Sequence, residues 1–151
     1  MKNGKPVLGF ISPVFLFPND AGGKIRTTNI LRGLKGGAFE ILLASPVGPG
    51  IQKRWRGELA SVCDDFLGWK ESPKRTRLMR AADLLHQLPL NVKADLSPPG
   101  LAAARDVCRH PDVDVVVFDF VHSAALLPRG VEVPTVCFTH NVEAEIFERH
   151  A

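Results

Sequence analysis

The chain has 151 residues, 45% of them hydrophobic and 23% charged, the mix of a globular domain long enough to bury its own core. Nineteen lysines and arginines against 16 aspartates and glutamates leave a formal charge of +3, too weak alone to argue for nucleic acid. These figures exclude a disordered tail, a collagen-like repeat, a disulfide scaffold and a multidomain enzyme complete in one chain.

Five apolar runs follow one another: Val7–Ser12, Phe39–Pro46, Asp64–Trp69, Val113–Asp119 and Val133–Thr139. Most are continuous rather than alternating, as strands covered on both faces are. Val115-Val116-Val117-Phe118 makes the case most strongly, because β-branched side chains suit a pleat better than a helix. The opening run follows Lys2 and Lys5 like a signal peptide, but Pro6, Pro13 and Pro18 interrupt it and no cleavage signal follows. It is also shorter than the ~20 apolar residues that span a bilayer.

Helical patterns lie between the runs. Lys24–Lys35 sets Ile25, Thr28, Leu31 and Leu34 on one stripe, and Arg75–Leu88 does the same with Leu78, Leu85 and Leu88. Pro98–Cys108 opens with prolines, which a first helical turn tolerates, and continues through alanines. Alternation of this kind predicts an α/β domain with a doubly wound parallel sheet in the order 3-2-1-4-5. Ligands in such sheets sit beyond the carboxyl ends of the strands where the order reverses, so residues after strands 1, 4 and 5 become the candidates. Cys63, Cys108 and Cys137 form no CxxC pair, which argues against a disulfide framework or zinc site and for core side chains in a reduced compartment.

After strand 1, Gly22-Gly23 precede the first helix, with Lys24 and Arg26 adjacent. Glycines let a ligand approach the backbone, and the amides of a first helical turn attract anions. The alternative is a plain turn capped by Asn19 or Asp20. After strand 4 come Asp119 and His122, either substrate-binding groups or a helix cap and a solvated loop residue. After strand 5, His140 ends the strand beside the crevice, while Asn141 is a natural helix cap with Glu143 and Glu145 in the first turn behind it. Eight of the 19 positive charges fall between Lys53 and Arg80, with Trp55 and Trp69 among them. Arg75–Leu88 therefore reads either as a solvated helix packed on the sheet or as a peripheral contact with an anionic membrane.

The segments FPNDAGGKIRTTNILRGL, DVDVVVFDFVHSAALLP and VPTVCFTHNVEAEIF resemble the amino-terminal domain of family 4 (group 1) glycosyltransferases. The likeness runs from about Val7 to the end of the chain and is weak across Ile51–Asp112. It implies a GT-B fold of two facing Rossmann-like domains, with residues 1–151 as the single acceptor-side domain and the carboxyl-terminal nucleotide-sugar domain absent from this chain. It further implies sugar transfer with retention from a nucleotide-sugar donor to a glycan or lipid-linked acceptor, in the cytoplasm or at the inner membrane face, without metal or other cofactor. Gly22 and Gly23 match the loop that approaches the donor phosphates, and His140 matches the catalytic histidine that reaches the transferred sugar. Asp119, His122, Arg26 and Asn141 fall where acceptor or substrate contacts are expected. The basic pair and two spaced glutamates of the family belong to the second domain, so the isolated half is expected to be inactive. Half of a nucleotide-sugar epimerase and a stand-alone phospho-sugar binding module are the alternatives, and no nucleic-acid partner is expected.

Overall fold

The computed structural model describes residues 4–71 and 96–139. The predicted helix Arg75–Leu88, together with His140, Asn141, Glu143 and Glu145, lies outside the described residues. The first strand, β1 (Val7–Ile11), leads through a loop to helix α1 (Gly22–Leu34) and then to β2 (Glu40–Val47). Two short helices, α2 (Ile51–Arg54) and α3 (Arg56–Ala60), precede β3 (Asp65–Lys70). Beyond residue 95 come α4 (Pro98–Cys108), β4 (Val113–Asp119), α5 (Phe120–Ala124) and β5 (Thr135–Phe138). The five strands form one all-parallel sheet in the order β3-β2-β1-β4-β5, as the alternation predicts.

β1 and most of β2 are buried on both faces, which explains their continuous apolar runs, whereas the edge strands β3 and β5 are largely exposed or half-buried. On one face, Val7, Leu42, Ala44, Val116 and Phe118 pack against Ala103, Ala104 and Val107 of α4. On the other, Phe10, Ile41 and Leu43 meet Leu31 of α1, Leu59 of α3, and Phe15 and Phe17 of the loop after β1. Ile41 and Leu43 alternate with Leu42 and Ala44 between the two faces, as the pleat requires. Close approach of α4 to β1 depends on Gly9, where a Cβ would stand 2.7 Å from Cγ1 of Val107. The β1–β4 register shifts between Val7 and Leu8, where Asp114 Oδ2 accepts the Val7 N–H at 2.8 Å.

The helix ends depart from expectation in particular ways. α1 begins at Gly22, two residues before the expected Lys24, and Ile25 is 44% exposed; Thr27 joins Thr28 and Leu31 in the buried stripe in its place. Ala21 takes the capping position without a side-chain bond, so neither Asn19 nor Asp20 caps this helix. α4 matches its predicted bounds, with Ser97 Oγ accepting the Gly100 N–H at 3.1 Å and prolines in the first turn. Cys63 and Cys108 are buried as expected, whereas Cys137 on β5 is exposed. Burial pushes the Cys63 thiol up to about 12, so it stays protonated and inert at neutral pH. Among the described residues, no helix is long and apolar enough to cross a membrane.

Candidate functional site

The sheet order reverses between β1 and β4, and the chain leaves both strands at the same edge. Ser12 follows β1, and its hydroxyl donates to Val14 O at 3.0 Å, bending the loop away from the strand. That loop returns through a cis Phe17-Pro18 peptide to the start of α1. Asn19 Oδ1 accepts from the buried Thr28 hydroxyl at 3.0 Å, and the Lys24 ammonium donates to Asp20 Oδ1 at 2.9 Å and Pro18 O at 3.3 Å. The hydrogen bond from Lys24 lowers the Asp20 carboxyl below its ordinary value. These contacts tie the loop to the first turns of α1.

Gly22 and Gly23 are exposed, and neither takes a positive φ. Conformational freedom therefore does not explain them. A Cβ on Gly22 would meet nothing within 4 Å, and one on Gly23 would make only an ordinary 3.5 Å contact with Phe120 Cε2. What the missing side chains leave is access to the backbone. The first amide taken within the helix is that of Ile25, by Ala21 O at 3.0 Å. The amides of Gly22, Gly23 and Lys24 lie in the turn before it, where α-helical geometry supplies no partner within the helix and the dipole favours an anion.

Asp119 ends β4 directly beneath this turn. It is 2% exposed, and its Oδ2 accepts from the Thr27 hydroxyl at 2.9 Å and, at the 3.5 Å limit, from that of Ser12. It occupies the position before α5 but makes no side-chain cap to that helix. The carboxylate faces the protein interior and couples the ends of β1 and β4 to α1. The buried Ser123 hydroxyl donates to Asp119 O at 2.6 Å and Phe120 O at 3.0 Å, holding the first turn of α5.

Phe120 is the unusual residue here. Its φ of 70° is the left-handed conformation, which a bulky side chain seldom adopts and which costs roughly 1–3 kcal/mol. The strain aims its ring at Gly23 and leaves it 6.2 Å from the half-buried His122 ring, tilted by 38°. Arg26 is exposed on α1, one turn past the glycines. Phe120 thus stands between Gly23 and His122, while Asp119 is tied through Thr27 and Ser12 to α1 and the end of β1.

Sequence reading missed Ser12, Thr27, Ser123 and Phe120. The pair Thr27-Thr28, one turn beyond two glycines, was a usable signal, since buried hydroxyls on a helix need partners. The strained Phe120 left no mark in residue type. Also missed was a cavity of about 560 Å³ over the carboxyl ends of β1, β2 and β3, reached from Lys24 and walled by Phe15, Phe17 and Trp69. Among the described residues, no three His, Cys, Asp or Glu side chains gather as a metal ion would require.

No protein-family model matches the sequence, and no curated protein does. Two solved chains are similar to it, one from the "Structure of Pnkp1/Rnl/Hen1 complex" (12% identity, TM-score 0.42) and one from the "Structure of the Pnkp1/Rnl/Hen1 RNA repair complex" (10% identity, TM-score 0.40). Each likeness covers 93% of this chain, but only 49% and 45% of the solved chains. The chain spans about half the length of the solved chains it matches.

Proposed function

We propose that this chain is the acceptor-side half of a retaining glycosyltransferase, with a GT-B partner domain supplying most of the nucleotide-sugar contacts. The observation that carries the reading is the open first turn of α1: two glycines with helical backbones, unobstructed on their outer side, at the reversal of a 3-2-1-4-5 sheet. An unneeded glycine in a helix costs roughly 0.5–1 kcal/mol against alanine. Two in succession, neither required by backbone conformation nor by packing, fit a surface kept clear for a diphosphate.

In the intact enzyme the bond between the anomeric carbon and the diphosphate oxygen breaks, and the leaving group departs with the electron pair. The amides of Gly22 and Gly23 donate hydrogen bonds to the developing negative charge, while the acceptor oxygen bonds to the anomeric carbon from the same face and passes its proton to the departing diphosphate oxygen. His140 hydrogen-bonds the sugar and holds it in place. His122, Arg26 and Asn141 line the acceptor side, and Asp119 fixes the crevice from below. The epimerase alternative requires an accessible carboxylate, whereas Asp119 is 2% exposed and bound to Thr27, which favours transfer.

In the enzyme carrying this domain, Gly23→Val is expected to lower kcat by ~10²–10³-fold, the usual loss when an oxyanion donor is obstructed. His140→Ala is expected to lower it by ~10²-fold through misplacement of the sugar. Wild-type rates in both variants, measured with saturating donor and acceptor, would overturn the assignment.

A further inference from the structure

The cavity across the carboxyl ends of β1, β2 and β3 adjoins the site described above through Lys24. Its volume of about 560 Å³ lies in the range of small-molecule sites. Phe15 and Phe17 enter from the loop after β1, Pro46 and Ile51 flank the end of β2, and Trp69 comes from β3. The Phe15 and Phe17 rings meet edge to face at 6.1 Å, so this wall is packed rather than loose. Such a lining is suited to an apolar body.

Among the described residues, two charged ones line it. Lys24, next to Gly23 at the start of α1, is the cationic one. An ammonium has three protons to donate. Among the described residues Asp20 and Pro18 take two of them, which leaves one for a ligand. Glu71, just beyond β3, lines the part of the cavity beside Gly48, 3.9 Å from where a Gly48 Cβ would stand, and its charge repels an anion there. We propose that the cavity receives the apolar body of an amphipathic anion, with the anionic head beside Lys24. Only the word acceptor rests on the transferase reading: in that enzyme the ligand is the acceptor, its head delivered to the glycine turn.

The test is a calorimetric titration of the chain with geranyl monophosphate, geraniol and inorganic phosphate, all below micellar concentrations. Geranyl monophosphate is expected to bind saturably and at least tenfold more tightly than either fragment. Val14 lines the cavity yet is 46% exposed, so Val14→Glu leaves the core intact and is expected to weaken binding at least fivefold. Lys24→Gln, which removes an exposed ion pair with Asp20 and a hydrogen bond to Pro18 O, is expected to do the same. Equal affinity for geraniol, equal affinity for phosphate, unchanged binding in both variants or no binding at all would each overturn the proposal. Binding as stated in a protein that transfers no sugar would leave the cavity assignment standing and remove the transferase reading; sugar transfer without this binding would do the reverse.

Discussion

Asp119 ends an apolar strand, where a carboxylate is costly unless donors reach it. One donor that reaches it, at 2.9 Å, is Thr27, 92 residues away on α1. That distance explains why only half of the arrangement was legible: an acidic residue at a strand end is visible in sequence, but its partner depends on which face of α1 turns inward. Ile25 was expected on that face and is 44% exposed, while Thr27 is buried. Thr27→Val, which keeps the shape and deletes the hydroxyl, is expected to destabilise the fold by about 1.5–3 kcal/mol in urea denaturation. In a double-mutant cycle with Asp119→Ala, the two losses should couple by about 1 kcal/mol. Additive losses would show that the hydroxyl and carboxylate do not act together.

Elements were more legible than their contacts. Each of the five strands was read to within two residues; β1 and β2, buried on both faces, advertise themselves most plainly as unbroken apolar runs. Gly9 interrupts the first run, and its reason is tertiary: α4 lies so close that a methyl group at Gly9 would collide with Val107. Gly9→Ala is expected to cost about 1–3 kcal/mol by overpacking, although alanine is otherwise the better residue in a regular element. A neutral or stabilising result would contradict the packing of α4 on β1.

The junction between α1 and β2 makes a pH-dependent prediction at the same scale. Asp64 accepts from Lys35 Nζ and, at 2.8 Å, from the Ile41 N–H. Burial alone would raise its carboxyl, but these hydrogen bonds and the charges of Lys35 and Lys5 outweigh burial and hold it below the ordinary 3.8. A depressed carboxyl stabilises the fold above its unfolded value, and that stability is lost as pH falls through the folded value. Asp64→Asn is therefore expected to lower stability at pH 7 by no more than about 1 kcal/mol, since the pair is partly exposed. The gap between variant and wild type should close below about pH 4, read as urea midpoints at pH 7 and pH 3; a gap unchanged with pH would contradict it.

For the whole molecule, the sheet order places two different surfaces along one edge. The reversal between β1 and β4 was anticipated, because strand–helix alternation alone implies where a doubly wound sheet reverses. The cavity over β1 to β3 was not, because its walls come from three separate loops whose aromatics read simply as core. Along that edge lie the start of α1, the cavity lined by Lys24 and the strained Phe120. The direct measurement is the product formed from a nucleotide-sugar and an amphipathic acceptor by the protein that carries this chain, with the anomeric configuration read by proton NMR. Consumption of acceptor with the donor's anomeric configuration retained is the predicted result; an inverted product, or an isomerised donor with the acceptor untouched, would contradict it.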